Sequence, residues 1–559
     1  MQRSCAQCGS PFEIRNDDLA FYEKVSPVFE GQAYAVPPPT HCPDCRAQRR
    51  YAFRNERKLY HRACAKTGKN LISIYHSQSP HTIYSPEAWW SDAWDPLQYG
   101  RPFDFSRPFF EQFQELYQEV PHIALVNVQC ENSDYANQCG WSKNCYMVFV
   151  TDFCEDCYYT GYCYSSRNCM DGSGLHDCEL CYGSLDCVKC YHLLFCKNCS
   201  TSTDCLFCSD CKNCKNCFGC TGLRSKEFCY FNEQLSPEEW KKRINAIKLT
   251  EEIIEEYRKE AKTLEMRLPH PHVVMVNCTD CTGNYLSNSK NAIRCFDGKN
   301  IEDSKNCAII PQSAKNAQDM IGGMGEWLYE VFSTGPGIQN CFCIHCWGDV
   351  SNLLYCAFCM NGSNNCFGSV GLRKGQYCIL NRQYTKEEYE ELGPKIIAHM
   401  RKNNEWGEFF PASMSPFGYN ETIAQEHYPL SEFDASKKGF LWREVREEIP
   451  KVEKIVSAKA LPALIVDVPD DILNWAIECE ATKRPFRVIK QELAFYRTMG
   501  LPVPRLHPDE RHRRRMALRN PRKLWNRTCA KCGKGIETSY SPERPEIVYC
   551  EECYLKEVY

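Results

Sequence analysis

The cysteines between Cys130 and Cys229 follow a strict spacing that predicts the main fold of the chain. Twenty cysteines lie in this stretch, and all nineteen intervals between them are multiples of three. Intervals of three and six alternate in five consecutive nine-residue units, Cys178/Cys181, Cys187/Cys190, Cys196/Cys199, Cys205/Cys208 and Cys214/Cys217. A short fixed period of this kind, with Gly, Asn and aromatic residues between, is typical of a β-solenoid. We predict that each unit is half of an eighteen-residue coil.

The residue before an inward cysteine is often asparagine, which predicts a corner in the coil. The asparagines in question are Asn144, Asn168, Asn198, Asn213, Asn216 and Asn306. Asparagine tolerates the left-handed backbone conformation better than most residues. We therefore expect left-handed corners at these positions.

A second, worn copy of the solenoid follows the first. The segment 216–229 matches the segment 365–378. Cys139, Cys154 and Cys163 of the first copy are matched by Ser289, Ser304 and Ser313. Serine is a poor zinc ligand of similar volume, so we interpret the inward thiols as small hydrophobic residues that fill a narrow core. Two alternatives stay open, namely additional zinc between Cys187 and Cys220 and an iron-sulfur or redox role.

Each solenoid is predicted to end in a helix that covers its open edge. Ser236 with Pro237 is an N-cap with proline at the first helical position, and the charged pattern continues to about Leu268. Thr385 and Glu388 form a capping box that opens a second helix, which Gly393-Pro394 is expected to interrupt. The segment 103–120 has the pattern of a shorter amphipathic helix.

Two pairs of Cys-x2-Cys at each end of the chain predict metal sites. The eight cysteines are Cys5, Cys8, Cys42 and Cys45 at one end and Cys529, Cys532, Cys550 and Cys553 at the other. Two such pairs can close a tetrahedron of thiolates around Zn²⁺. Four protein ligands leave no open position for water or substrate, so we expect about two zinc ions with a structural role. Iron and an empty reduced site are the alternatives.

The two ends read as copies of one module, and each has kept a different site. The positions of the N-terminal copy that match Cys532, Cys550 and Cys553 are Thr67, Ser85 and Ala88. In the C-terminal copy the first site reads Cys479, Thr482, His507 and Glu510. His507 and Glu510 either complete a weak mixed site or are solvated surface residues, and we favour the second interpretation.

Arginine-rich runs beside the cysteine pairs are the strongest indication of a ligand. The arginines are Arg46, Arg49, Arg50, Arg54, Arg57 and Arg62, matched in the second copy by Arg511, Arg514, Arg515, Arg519, Arg522 and Arg527. Arginine binds phosphates and stacks on bases, which is compatible with RNA. Alternatively, these residues pair with acids and pack on aromatic rings to hold the module together.

Composition and motifs limit the other classes. The 67 basic and 71 acidic residues are nearly balanced, which argues against a uniformly basic nucleic-acid coat. The N-terminus lacks the apolar stretch of a signal peptide, and no apolar run is long enough to span a membrane. With 41 cysteines, this favours a reducing, cytoplasmic location with metal ligands or buried thiols. No catalytic motif is present, so we expect no enzyme.

The resulting fold class is mainly β with helices, with two cysteine-rich β-solenoid-like domains flanked by duplicated zinc-ribbon modules. The predicted boundaries are 1–66 (zinc ribbon and arginine run), 67–120 (degenerate ribbon and helix), 121–235 (first solenoid), 236–269 (helical connector), 270–384 (second solenoid), 385–475 (helix and irregular linker), 476–525 (degenerate ribbon and arginine run) and 526–559 (C-terminal zinc ribbon). The expected function is a non-enzymatic zinc-binding scaffold. Its solenoid faces bind a protein partner or a second copy, with no small-molecule substrate and no membrane. RNA- or ribosome-associated binding and thiol redox or metal storage are the alternatives.

The whole chain also resembles a family of large bacterial zinc-ribbon proteins with a cysteine-rich repeat middle, some of which carry the label CaiB/BaiF. The resemblance rests on the cysteine pairs, the run from Arg49 to Leu59, Trp89-Trp90-Ser91, the segments 105–110 and 415–420, and Cys217-Phe218-Gly219-Cys220. It implies terminal zinc sites around a repeat domain and implies no particular activity. The residues themselves give no support for CoA-transferase chemistry.

Overall fold

The computed structural model describes residues 1–171, 202–310, 314–323, 326–332, 337–444 and 450–558. The chain divides into two compact units, and each unit is built from two separate segments. Unit 1 combines Met1–Val126 with Val273–Glu444, and unit 2 combines Asn127–His272 with Val445–Tyr559. Each terminal arm therefore shares a unit with the solenoid that is farther away from it along the chain. None of the helices in the described residues has the length and apolar character that a membrane span requires.

The first solenoid lies in unit 2 and has a coil of twelve residues. Its strands are Asn127–Val128, Asn137–Gly140, Phe149–Asp152, Gly161–Tyr164, Thr203–Leu206, Lys215–Phe218 and Glu227–Tyr230. Parallel partners are twelve residues apart, as in the series Cys139, Thr151 and Cys163. The predicted eighteen-residue coil is therefore wrong. The units at Cys178, Cys187 and Cys196, together with Asn198, lie outside the described residues.

In the described part of this solenoid, a left-handed residue stands at every third position and makes the corners. Positive φ angles recur every three residues from Gln129 to Asp171, so a twelve-residue coil has four corners. The predicted asparagine corners are confirmed at Asn144, Asn168, Asn213, Asn216 and Asn306. Bulky residues such as Phe153 and even the β-branched Val150 also adopt this conformation. Such backbone is costly for these side chains and persists only where the surrounding structure fixes it.

The residue after each corner points into the coil, which explains why the cysteine intervals are multiples of three. The described inward thiols pack in one cluster, and every described cysteine of the chain is a free thiol. Many inward thiols lie within hydrogen-bond distance of two carbonyl oxygens. One belongs to the residue two positions before the cysteine, and the other to the residue nine positions after it. The Sγ of Cys205, for example, lies 3.4 Å from the oxygen of Thr203 and 3.6 Å from that of Cys214. Donation by these thiols satisfies backbone acceptors inside a core that holds little else.

The second solenoid lies in unit 1 and is less regular. Its strands are Met275–Val276, Gly283–Ser287, Lys290–Ile293, Cys295–Lys299, Ile301–Lys305, Ala308–Ile310, Ala314–Lys315, Gly337–Ile338, Val350–Leu354, Asn364–Phe367 and Gln376–Ile379. The offset between parallel partners varies from eleven residues (Met275 to Leu286) to thirteen (Ser351 to Asn364). The serine substitutions keep the inward role, since Ser304 donates to Glu302 O at 2.7 Å and accepts from Ala317 N. Ser313 lies outside the described residues.

Both solenoids end in the same way. The last parallel strand folds back on a short antiparallel strand, Glu233–Gln234 in unit 2 and Arg382–Gln383 in unit 1, and a helix follows. The predicted helix after Ser236 is two helices, Pro237–Asn245 and Glu251–Glu265, because Thr250 caps a new start.

The capping box of Thr385 is confirmed, but its helix Lys386–Lys402 continues through Pro394. The predicted interruption is therefore wrong. Gly393 allows the helix to pack against Phe29, since a Cβ at this position would lie 2.2 Å from the Phe29 ring.

The terminal arms carry the remaining elements. The helices of the unit 1 arm and linker are Asn16–Lys24, Pro43–Tyr51, Pro86–Trp90, Phe109–Glu119, Ile423–His427 and Glu432–Lys437, and its strands are Gln2–Ser4, Pro11–Glu13, Val28–Phe29, Gln32–Ala33, Tyr60–Ala63, Asn70–Ser73, Ile83–Tyr84 and His122–Ile123. The arm of unit 2 has the helices Lys490–Met499, Pro508–Leu518 and Glu551–Val558 and the strands Lys454–Ser457, Trp475–Glu478, Pro485–Phe486, Trp525–Thr528, Gly535–Thr538 and Val548–Tyr549. Val548–Tyr549 pairs with His270–Pro271 at the end of the connector.

Candidate metal centres

The N-terminal cysteines converge at one point of unit 1. Cys5 and Cys8 lie in the turn between the strands Gln2–Ser4 and Pro11–Glu13, and Cys42 caps the helix Pro43–Tyr51, which contains Cys45. All four Sγ atoms lie within 4.8 Å of one another. The Sγ atoms of Cys8 and Cys42 are 3.8 Å apart. This group is called the N-terminal cluster below.

The C-terminal cysteines form an equivalent group in unit 2. Cys529 and Cys532 lie in the turn between Trp525–Thr528 and Gly535–Thr538, and Cys550 and Cys553 flank the start of the helix Glu551–Val558. Their Sγ atoms also lie within 4.8 Å of one another. Cys532 and Cys550 are 3.8 Å apart at sulfur. This group is called the C-terminal cluster.

One sulfur–sulfur edge of each cluster has the length expected of a tetrahedral thiolate site. A metal–sulfur distance of about 2.3 Å implies a sulfur–sulfur edge of about 3.8 Å, which is the Cys8–Cys42 and the Cys532–Cys550 distance. The hydrogen bond from Cys45 lowers the pKa of Cys42 to about 5, against the opposing effect of burial. Burial raises the pKa of Cys529, but backbone N–H groups of Cys532 and Cys550 bring it down to about 6. The thiolate, which is the form that binds metal, is thus favoured at Cys42 and Cys529, whereas hydrogen bonds with Cys42 and Cys550 raise the pKa of Cys45 and of Cys553.

Each copy of the terminal module also has one degenerate site, which lacks a full set of four cysteines. Both degenerate sites keep the turn that is found in the complete clusters. Cys64 and Cys479 each accept a backbone N–H at sulfur, from Ser85 at 3.3 Å and from His507 at 3.2 Å. Cys529 accepts the N–H of Cys550 at 3.2 Å in the same way. The turn is therefore maintained by backbone hydrogen bonds that do not depend on a metal. Neither degenerate position appears among the metal-compatible groups of the described residues.

Glu510 does not lie on the solvated surface, where it was expected. It is buried and accepts hydrogen bonds from Arg513 and Arg514 at 2.8 to 2.9 Å. The bond from Arg513 lowers the pKa of Glu510 to about 2, although burial opposes the shift. His507 caps the helix Pro508–Leu518 by accepting the N–H of Asp509. Neither Thr482 nor these two residues completes a cluster with Cys479.

Three arginines of the unit 1 run are buried and paired with acids of the second solenoid. Arg46 makes a bidentate contact with Asp319 at 3.0 and 3.1 Å, with exposed fractions of 2% and 0%. Arg50 lies 3.6 Å from the same carboxylate, and Arg49 donates to Glu330 at 2.9 Å. We call the set Arg46, Arg50 and Asp319 the unit 1 clamp.

The arginine run of unit 2 repeats this arrangement on the first solenoid. Arg511 and Arg515, which match Arg46 and Arg50, both lie 3.2 Å from Asp171. Arg511 also stacks over Tyr159, at 4.7 Å from the ring centre. All three charged residues are buried. We call this set the unit 2 clamp.

The other arginines of the two runs differ in burial. Arg54 is buried against Glu56 and Phe332, and Arg514 bonds Glu510. Arg62 donates to His76 O, and Arg527 donates to Ser541 O. Arg57, Arg519 and Arg522 are half-buried. The buried arginines of the runs thus pair with acids and pack on aromatic rings, as the structural interpretation of the runs predicted. Sequence reasoning missed Asp171 and Asp319, which carry no motif beyond their similar places in the two copies.

A third group of cysteines lies inside the first solenoid. The Sγ atoms of Cys154, Cys157 and Cys163 are within 4.8 Å of one another. The expected location for extra metal was the stretch from Cys187 to Cys220, of which the structure describes Cys205 onward. No group of three within this limit is found among the described cysteines of that stretch.

Comparison with protein-family models, curated proteins and solved structures finds no match to this chain. The site geometry and chemistry therefore carry the functional argument.

Proposed function

We propose that this protein is a non-enzymatic scaffold whose two terminal cysteine clusters are structural zinc ribbons, in agreement with the family that its sequence resembles. The observation that carries the proposal is that four sulfurs lie within 4.8 Å of one another at both ends. Zinc accepts four thiolates in a tetrahedron, and four protein ligands leave no position for a substrate. A reducing compartment such as the cytoplasm keeps the thiols available.

The N-terminal cluster supports a structural role because it leads directly into the clamp. Cys42 and Cys45 lie at the start of the helix Pro43–Tyr51, and Arg46 follows Cys45 immediately. A metal ion bound there fixes the start of this helix and hence the direction of Arg46 toward Asp319. The zinc ion thus acts on the attachment of the terminal arm to the solenoid.

The solenoid supports the scaffold part of the proposal through an exposed aromatic pair. Trp141 and Phe153 occupy the same corner of adjacent coils and stack at 5.2 Å with an angle of 7°. They are 50% and 51% exposed. Aromatic residues dominate the binding energy of many protein interfaces. We infer that this corner contacts a protein partner.

The zinc content tests the metal part. Full-length protein purified without added metal should contain about two zinc ions by elemental analysis. Cys42→Ser and Cys550→Ser should each remove one of them. Cys64→Ser is the matched control, because Cys64 occupies the same turn without a full ligand set, and it should keep both ions. Retention of both zinc ions by Cys42→Ser would contradict the proposal, and ten or more ions per chain would favour metal storage.

The partner surface is tested by crosslinking in cells. A photoreactive amino acid at Trp141 should form specific adducts with a protein partner. The same group at Val466, which is 81% exposed and lies outside the solenoid, is the control. Equal adduct patterns at both positions would remove the support for this face.

RNA binding stays a prediction that rests on the arginine runs. Six of the twelve arginines are buried, namely Arg46, Arg49, Arg50, Arg54, Arg511 and Arg515. A phosphate contact needs an accessible guanidinium, so the half-buried and exposed members carry this alternative. Retention of RNA on the purified protein at low salt and its release at high salt would support it.

A further inference from the structure

The three thiols of Cys154, Cys157 and Cys163 form a compact group in the core of the first solenoid. Their exposed fractions are 1%, 0% and 0%. Cys154 and Cys157 are successive inward residues of one coil, and Cys163 is an inward residue of the next. The Sγ of Cys157 also lies 3.4 Å from Glu155 O and 3.5 Å from Ser166 O. The group is called the thiol triad.

Hydrogen bonding alone does not require sulfur at these positions. In the second solenoid Ser304 matches Cys154, and its hydroxyl contacts the carbonyl oxygen two residues before and the N–H of the next coil. The position that matches Cys163 is Ser313, and Cys307 matches Cys157. The second solenoid thus keeps its inward polar groups while it lacks two of the three sulfurs. What cysteine adds is a soft, polarisable ligand atom.

The geometry points to a third metal site at the thiol triad, suited to a soft monovalent ion, Cu(I). Thiolates select Cu(I), zinc and iron-sulfur clusters over hard cations. Structural zinc takes four ligands, whereas among the described residues three sulfurs lie within 4.8 Å of one another here, and all three are buried. Cu(I) is stable with two or three thiolates. Its binding replaces the thiol protons, which are released to solvent, and changes no oxidation state.

Copper content tests the inference on the full-length chain. The protein is produced in cells with added copper, purified without oxygen and dialysed against a Cu(I) chelator. Wild-type protein should retain about one copper per chain, and X-ray absorption at the copper edge should show sulfur ligands only. Cys154→Ser, which introduces the residue found at position 304, should lose this copper and keep its zinc.

The matched control is Cys139→Ser, which introduces the residue found at position 289. Cys139 is also an inward thiol and bonds Thr151, but it lies outside the triad. It should keep the copper, and thermal unfolding checks that both variants fold. Wild-type protein without copper, equal copper in Cys154→Ser, or a third zinc at the triad would each overturn the inference. Because zinc at the terminal clusters is counted separately, this failure is distinguishable from failure of the proposed function.

Discussion

The two clamps are built on helices that start differently. One helix starts at a complete cysteine cluster, and the other does not. In unit 1 the helix Pro43–Tyr51 begins at Cys42 of the N-terminal cluster. In unit 2 the helix Pro508–Leu518 begins at His507, beside a lone Cys479. Both helices nevertheless place two buried arginines on one aspartate of a solenoid. The clamp is thus the common feature, and the way in which its helix is fixed differs.

Metal removal should produce the largest difference between the two clamp helices. Structural zinc contributes on the order of 10 kcal/mol to the folding of small sites. A strong chelator should therefore raise hydrogen exchange in Pro43–Tyr51 by more than about 100-fold and leave Pro508–Leu518 nearly unchanged. The helix Glu551–Val558 beside the C-terminal cluster is the positive control. Equal deprotection of both clamp helices would show that the metal does not distinguish them.

Loss of the clamp aspartate should affect both units alike. Removal of one partner from a buried ion pair costs about 3–5 kcal/mol, because the other charge stays buried without compensation. We expect this loss in the free energy of unfolding for Asp319→Asn and for Asp171→Asn, measured by urea denaturation. Asp280→Asn, at an exposed solenoid corner, should change it by less than about 0.5 kcal/mol. A small effect in one unit would mean that its clamp is not equivalent.

Acid should weaken unit 1 through His122. Burial lowers the pKa of His122 to about 4, and a hydrogen bond to Tyr117 O opposes this only in part. The unfolded chain therefore takes up the proton first as pH falls. The free energy of unfolding should be unaffected above pH 6.5 and should fall by up to about 3 kcal/mol between pH 6.5 and 4. His81, which contacts His122 and whose pKa burial also lowers, acts in the same direction.

The contribution of His122 is measured against His122→Gln at pH 7, 5.5 and 4.5. The variant should lose less stability than the wild type over this range, since it cannot take up the proton. Tyr75 and Tyr117 surround the ring and stay neutral here. Parallel curves for the two proteins would assign the acid sensitivity to other groups, such as the cysteine clusters.

The smallest expected effect concerns the lone cysteine of unit 2. Cys479 accepts the N–H of His507 at 3.2 Å, and Cys479→Ala removes this acceptor from the start of the clamp helix. We expect a loss of about 1–2 kcal/mol, with no change in zinc content. A loss of zinc in this variant would show that the degenerate position binds metal after all.

Much of the fold could be predicted because local spacing reflects local geometry. Cysteines at multiples of three revealed the corner period of the solenoid, and the two Cys-x2-Cys pairs at each end identified the clusters. The number of corners per coil was not accessible, because it depends on which strands pair, as Cys139 with Thr151. Intervals of nine fit a twelve-residue coil as well as an eighteen-residue one.

The clamps could not be predicted for a related reason. Asp171 and Asp319 are single acids without a motif, and their role appears only when an arm folds onto the distant solenoid. The sequence order of arm and solenoid gives no indication of which arm joins which solenoid. The duplication that relates Arg46 to Arg511 was visible, but its meaning depended on those long-range contacts.

The interleaving of segments has a consequence for synthesis on the ribosome. The arm Met1–Val126 belongs with Val273–Glu444, so its partner is complete only 318 residues after the arm has been made, from 126 to 444. At about 5–20 residues per second, this delay is roughly 15–60 s. Until the solenoid that carries Asp319 has folded, the arginines of the N-terminal arm lack this partner and stay hydrated. Early zinc capture by the N-terminal cysteines would hold the helix start in place while the nascent chain waits.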